Sequence, residues 1–237
     1  MAWTRPCWQG TVCPEVRVTR ARQGGCEEAT MNFGYRKMYV DGALRDAAGG
    51  RRRAVVCPGT EEAVAEIAWA GREETDLALE SARAGFASWS RLPIAERARW
   101  MHKLRDGVMR REEDLRAAVM HEMGKPWEAT AEDYETVVNA LQWYPEQMRH
   151  MSDEILADVE GTHRHLLVAE PAGVAVAFLA WNFPLLNVGF KLGPALAAGC
   201  TLILRPSASS PLSAYLLGEI LAEVGFPRGV VHILCGP

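Results

Sequence analysis

The chain has no uninterrupted run of about 18 uncharged apolar residues, so no part of it is expected to cross a bilayer as a helix. Pro184, Lys191 and Pro194 break the best candidate. It has no surplus of positive charge either: 26 Lys and Arg against 30 Asp and Glu leave −4, which supplies no long-range pull toward nucleic acid or an anionic membrane. The first residues lack the apolar block of a secretory signal, and a cytoplasmic location with the six cysteines reduced follows from that reading. Metal ligation finds little support. His163, His165 and His232 have no acidic partner at ligand spacing, and Cys7, Cys13 and Cys26 are too widely spaced for a zinc knuckle. No metal site is expected. The Gly-x-Gly-x-x-Gly fingerprint of an ordinary dinucleotide fold does not follow the strand that should precede it.

What is present is ordinary globular usage, 49% apolar and 24% charged in 237 residues, enough to bury a sizeable core. Residues 1–34 show no periodicity and read as a disordered tail. Residues 35–151 begin with short strands around an Asp41-Gly42 turn, with Arg51, Arg52 and Arg53 at a solvated loop tip. Three amphipathic helices then follow: one capped by Thr75, one traced by Met101, Leu104, Val108, Leu115 and Val119, and one by Tyr134, Val138, Leu141 and Met148. Residues 152–171 alternate around Glu160-Gly161-Thr162 as a β-hairpin.

From 172 to 237 the pattern is strand, helix, strand, helix, strand. Gly173 to Ala180 and Thr201 to Leu204 are short, continuous apolar runs, as expected of strands buried on both faces of a parallel sheet. Leu185 to Ala198 reads as a helix ended by Gly199, with Pro194 expected to kink it. Ser210 and Pro211 offer a cap and a first-turn proline for the next helix. Val230 to Leu234 is the last strand. Right-handed crossovers would place the loops 181–184 and 205–209 together on the carboxyl edge of the sheet, where α/β folds bind ligands.

These residues carry a resemblance. Glu170-Pro171-Ala172-Gly173-Val174, Trp181-Asn182-Phe183-Pro184, the stretch Gly193 to Thr201, and Arg205-Pro206-Ser207 followed by Ser210-Pro211-Leu212 are similar to the aldehyde dehydrogenase superfamily in order and spacing. Tyr39-Val40-Asp41-Gly42, Cys57-Pro58-Gly59-Thr60 and Glu122-Met123-Gly124-Lys125-Pro126 extend the match upstream, so that it covers residues 35–237. The last third is similar to the succinate-semialdehyde type. The resemblance implies an α/β fold in which N-terminal strands and helices precede a parallel Rossmann-like sheet that is incomplete in this chain. It also implies a homo-oligomer joined through the 152–171 hairpin, and oxidation of an aldehyde to a carboxylic acid with NAD or NADP.

Such oxidation needs a thiolate, oxyanion donors, a hydride acceptor and a base. The resemblance gives Asn182 the oxyanion role; read alone, it would be a turn residue. It places Ala180, Trp181, Arg205, Ser207 and Ala208 on the adenosine side of the cofactor. Arg205 stands where the family usually has lysine, and Ala208 where many NAD-specific members have glutamate. Together these favour tolerance of NADP; the alternative is that Arg205 simply substitutes for lysine at the ribose. No cysteine occupies the family's nucleophile motif: Cys200 reads as a core thiol, and Cys235 has no charged neighbour to lower its pKa. The chain is therefore expected to lack the nucleophile and the glutamate base and to be inactive alone. The other reading is a catalytically dead assembly or binding module.

Overall fold

The computed structural model describes residues 18–19, 30–151 and 153–237, so the expectation for 1–34 falls mostly outside the described residues. Strands β1 (Val18–Thr19) and β2 (Thr30–Met31) pair antiparallel. Phe33 is already buried and donates its N–H to the Val64 carbonyl at 2.7 Å, so packing begins at or before this point.

Strands β3 (Tyr35–Arg36), β4 (Met38–Val40) and β5 (Ala43–Arg45) follow, and β4 and β5 form a hairpin. Its two turn residues, Asp41 and Gly42, have φ of 54° and 73°, both positive, as a tight hairpin matching the strand twist requires. Strand β6 (Arg52–Val56) pairs antiparallel with β7 (Ala63–Ala68), which runs parallel to β3. Of the three arginines expected at a loop tip, Arg51 precedes β6 and pairs with Glu74, while Arg52 and Arg53 are in this sheet instead. Arg52 stacks over the Tyr35 ring at 4.1 Å and Arg53 over Trp69 at 4.6 Å, because a strand half covered by aromatics can hold guanidinium stems flat.

Four helices replace the expected three: α1 (Arg72–Trp89), α2 (Ile94–Arg110), α3 (Glu112–Met123) and α4 (Thr130–Gln147). Thr75 is not the cap of α1. Gly71 is, and Glu74 reaches back to accept its N–H at 2.6 Å. The chain breaks between α2 and α3 at Arg111 (φ −113°, ψ 25°), whose guanidinium contacts Asp114 and reaches across to Glu219 and Glu223.

Strands β8 (Glu154–Ala157) and β9 (Arg164–Leu167) form an antiparallel hairpin with every strand residue exposed. Then come β10 (Val174–Phe178), α5 (Pro184–Ala198), β11 (Thr201–Arg205), α6 (Leu212–Glu223) and β12 (Val231–Ile233). Pro194 lies inside an uninterrupted α5, which ends at Gly199 in the left-handed region (φ 93°). The strands β10, β11 and β12 are parallel neighbours in that order. The sheet continues through β4 and β5, with β4 antiparallel to β12. Val230 to Leu234 is thus paired on both sides and buried; the sheet's edges are β5 and β10, and on β10 Val176 is 49% and Phe178 71% exposed.

The core lies between this sheet and the helices, with Tyr39, Trp89, Met101, Leu141, Leu185 and Tyr215 among its largest fully buried side chains. Helix α4 packs along α5 at a glycine face. A Cβ on Gly193 would come within 2.5 Å of Tyr144 Cδ2, so a methyl group there has no room.

Candidate functional site

The parallel pairing of β10, β11 and β12 brings the loop after β10 and the loop after β11 to the same sheet edge. They are bonded to each other: Ser210 Oγ donates to the Trp181 carbonyl at 3.0 Å, and Leu179 N–H donates to the Arg205 carbonyl at 3.0 Å. Ser210, expected to cap α6, therefore serves as a loop-to-loop tie. Trp181 and Asn182 are exposed in the first loop, and Ala180 precedes them at the exposed end of β10. Ser207 and Ala208 are half-buried in the second loop, where Ser207 Oγ accepts the Ser209 N–H at 3.3 Å.

Arg205 closes the floor of the second loop. One guanidinium N–H donates to the Gly236 carbonyl at 2.7 Å, and the group lies 5.9 Å from the Phe178 ring centroid, leaving further donors of the fork in a half-buried setting. Tyr215 in α6 locks the surroundings, donating to the Ala68 carbonyl at 2.7 Å and accepting the Cys235 N–H at 3.1 Å.

A cleft of about 390 Å³ opens between these loops and β6, with Arg53, Val56, Glu122, Trp181, Ala208 and Ser209 on its walls. Glu122 was visible in the sequence only as part of a motif. Burial pushes its carboxyl up to about 7, against the lowering effect of Ser213 and Leu212, and the charge of Asp133 pushes the same way. An acidic residue in the last turn of α3 opposes that helix's macrodipole, the one local signal that something else holds it there.

The described cysteines, Cys57, Cys200 and Cys235, are all buried and free. The expectation that Cys235 lacks charged neighbours is corrected: Arg205 and Arg53 lie near enough to lower its pKa, yet burial outweighs them and pushes the thiol up to about 11. Its Sγ–H donates to the Pro206 carbonyl at 3.4 Å, so it is a core thiol. Cys7, Cys13 and Cys26 lie outside the described residues.

The histidines also need a correction. Asp158 faces two of them, 3.5 Å from His165 Nε2 and 3.9 Å from His163 Nδ1, because the hairpin turn folds back on itself. The same carboxylate accepts the N–H groups of Thr162 and His163, which hold its pKa below the usual range and make it a turn anchor. His232 is fully buried in β12, where its Nδ1 accepts the Asp41 N–H at 3.2 Å and burial pushes its pKa down to about 4. Among the described residues no group of three or more His, Cys, Asp or Glu side chains could hold a metal ion, and no helix is long and apolar enough to cross a membrane.

Residues 45–237 match the model of the aldehyde dehydrogenase family. The mitochondrial succinate-semialdehyde dehydrogenase of Oryza sativa is 31% identical over 197 residues, 83% of this chain and 37% of that protein. An NADP-dependent enzyme of Escherichia coli superposes with a TM-score of 0.80 at 28% identity, over 86% of this chain and 42% of the other. A point mutant of betaine aldehyde dehydrogenase from Staphylococcus aureus, in complex with NAD+, gives a TM-score of 0.78 at 27% identity, over 85% and 41%. The chain spans about two fifths of the length of the curated relatives it matches.

Proposed function

Because this chain belongs to the aldehyde dehydrogenase family, we propose that it carries the cofactor-side part of an oxidoreductase that converts an aldehyde to a carboxylic acid with NAD or NADP. The observation that carries this reading is the bonded pair of loops at the carboxyl ends of β10 and β11, tied by Ser210 Oγ to the Trp181 carbonyl. The residues fit the cofactor. The loops leave an open cleft, Arg205 offers guanidinium donors at the end of β11, and Ala208 presents no carboxylate that would repel a 2′-phosphate. Ala180, Trp181, Arg205, Ser207 and Ala208 would hold the adenosine side. Bound there, the nicotinamide cofactor supplies the hydride acceptor. Asn182, exposed in the first loop, would donate its side-chain N–H to the aldehyde oxygen and stabilise the charge that develops on it.

The chemistry also needs a thiolate and a base, and none of the three described cysteines is set up as a nucleophile, since all are buried. We read the chain as part of a longer enzyme, acting in the cytoplasm and inactive alone. A second reading, a binding or assembly module without catalysis, is favoured by the hairpin β8–β9, whose Ile155 and Leu166 are 70% and 61% exposed. That surface also suits a homo-oligomer. Titration of the purified chain with NAD and NADP, followed by tryptophan fluorescence and paired with an aldehyde oxidation assay, separates the two. Saturable nucleotide binding without turnover is the expected result; no binding of either nucleotide would leave the assembly reading.

A further inference from the structure

The turn between α3 and α4 carries buried charged groups that the reading above does not use. Glu122, only 3% exposed, reaches to the start of α6, where Leu212 N–H donates to Oε2 at 2.5 Å and Ser213 N–H to Oε1 at 3.2 Å. The first amides of a helix have no partner inside it, and Pro211 ahead of them offers no side-chain acceptor. A carboxylate from another helix supplies both acceptors and faces the positive end of the α6 dipole.

Asp133, fully buried in the first turn of α4, does the same for α5. Leu186 N–H donates to its Oδ1 at 3.2 Å, and Phe183, the residue before α5, provides no side-chain cap. The other oxygen, Oδ2, lies 2.6 Å from Lys125 Nζ, and that ammonium sits 3.6 Å from the centroid of the Phe183 ring. Gly124, between Glu122 and Lys125, makes this geometry possible. It ends α3 at φ 69°, and a Cβ there would stand 3.1 Å from Pro58 Cγ.

Helix α6 follows the 205–209 loop and α5 follows the 181–184 loop. We propose that the turn 122–126 is a clamp: Glu122 fixes the start of α6 and the Lys125–Asp133 pair fixes the start of α5, holding the nucleotide-side loop and the Asn182 loop in register from behind. These three are positioning residues. The inference rests on the reading of those two loops as the ligand loops.

Hydrogen exchange followed by mass spectrometry on the full chain, well below its melting temperature, tests it. Glu122→Ala should speed exchange about tenfold in peptides covering 205–215, the loss expected of a missing cap, while 181–188 stays near wild type. Lys125→Met should do the reverse. Gly124→Ala should loosen both segments, and Glu122→Gln, which keeps one carbonyl acceptor, should restore part of the protection. NADP titrated against the same proteins should bind Glu122→Ala at least several-fold more weakly than wild type. Acceleration spread evenly over the chain, no acceleration in these peptides, or equal nucleotide affinity in Glu122→Ala would overturn the clamp. Should wild type bind neither NAD nor NADP while the exchange pattern holds, the clamp stands and the ligand reading of the loops fails.

Discussion

Glu122 is neutral more readily than an ordinary glutamate because the fold takes its carboxyl out of water, and the amides of Leu212 and Ser213 offset only part of that cost. Its carboxyl is raised from 4.5 to about 7, so the folded state binds its proton more tightly than the unfolded chain. The contribution is therefore fully present below about pH 4.5 and is lost as pH rises through about 7. Denaturant midpoints of wild type and Glu122→Gln, compared between pH 5 and pH 8, should show wild type losing up to ~3 kcal/mol more than the variant, which has nothing to titrate there. A parallel pH dependence in both proteins would count against the shift. At Ala208 the question is a charge that is absent. Ala208→Glu should move the ratio of NADP to NAD dissociation constants about tenfold toward NAD, the effect of one charge contact worth roughly 1.4 kcal/mol; an unmoved ratio would remove residue 208 from the 2′ end of the cofactor. Both residues could be named from the sequence, but only the resemblance gave Ala208 a role. Glu122 remained one letter of a motif, because its partners lie 90 positions away and no local pattern encodes them.

At the scale of elements, strong periodicity was readable and terminations were not. The strands β10 and β11 and the helices between and after them follow from apolar runs and the Gly199 stop. The break at Arg111 left no trace in the pattern, since Val108 and Leu115 are seven apart and stay in phase across it, while two of the three carboxylates paired with Arg111 come from α6. Caps were misassigned for the same reason: Thr75 and Ser210 are good cap residues by type, yet Glu74 and Glu122 supply the acceptors. The α4–α5 contact is equally non-local, and its glycine gives a sharp test. Gly193→Ala would drive a methyl group into Tyr144, and the resulting overpacking should lower stability by about 1–3 kcal/mol, visible as a lower thermal midpoint. An unchanged midpoint would mean that α4 and α5 can move apart freely.

On the scale of the whole molecule, the hairpin β8–β9 and the β10 edge carry clusters of exposed apolar side chains among the described residues, Ile155, Leu156, Leu166 and Leu167 on the first and Val176 and Phe178 on the second. If the hairpin joins copies of the chain, Ile155→Asp combined with Leu166→Asp should lower the mass measured by light scattering to that of a monomer without changing the circular dichroism. A wild-type chain that is monomeric throughout would remove that role. Alternation alone could suggest a hairpin at 152–171, but strand pairing across the chain was beyond its reach. No local pattern gives β12 its second neighbour, because that partner, β4, lies near the other end of the sequence. That pairing has a consequence in time. Asp41 and His232, hydrogen-bonded in the finished sheet, are separated by 191 positions. At synthesis rates of roughly 5–20 residues per second, the β4–β5 hairpin leaves the ribosome some 10–40 s before the strand it must lie against. Over that interval Met38, Tyr39 and Val40, all buried in the end, have no sheet to join, and the nascent chain must keep them from finding another.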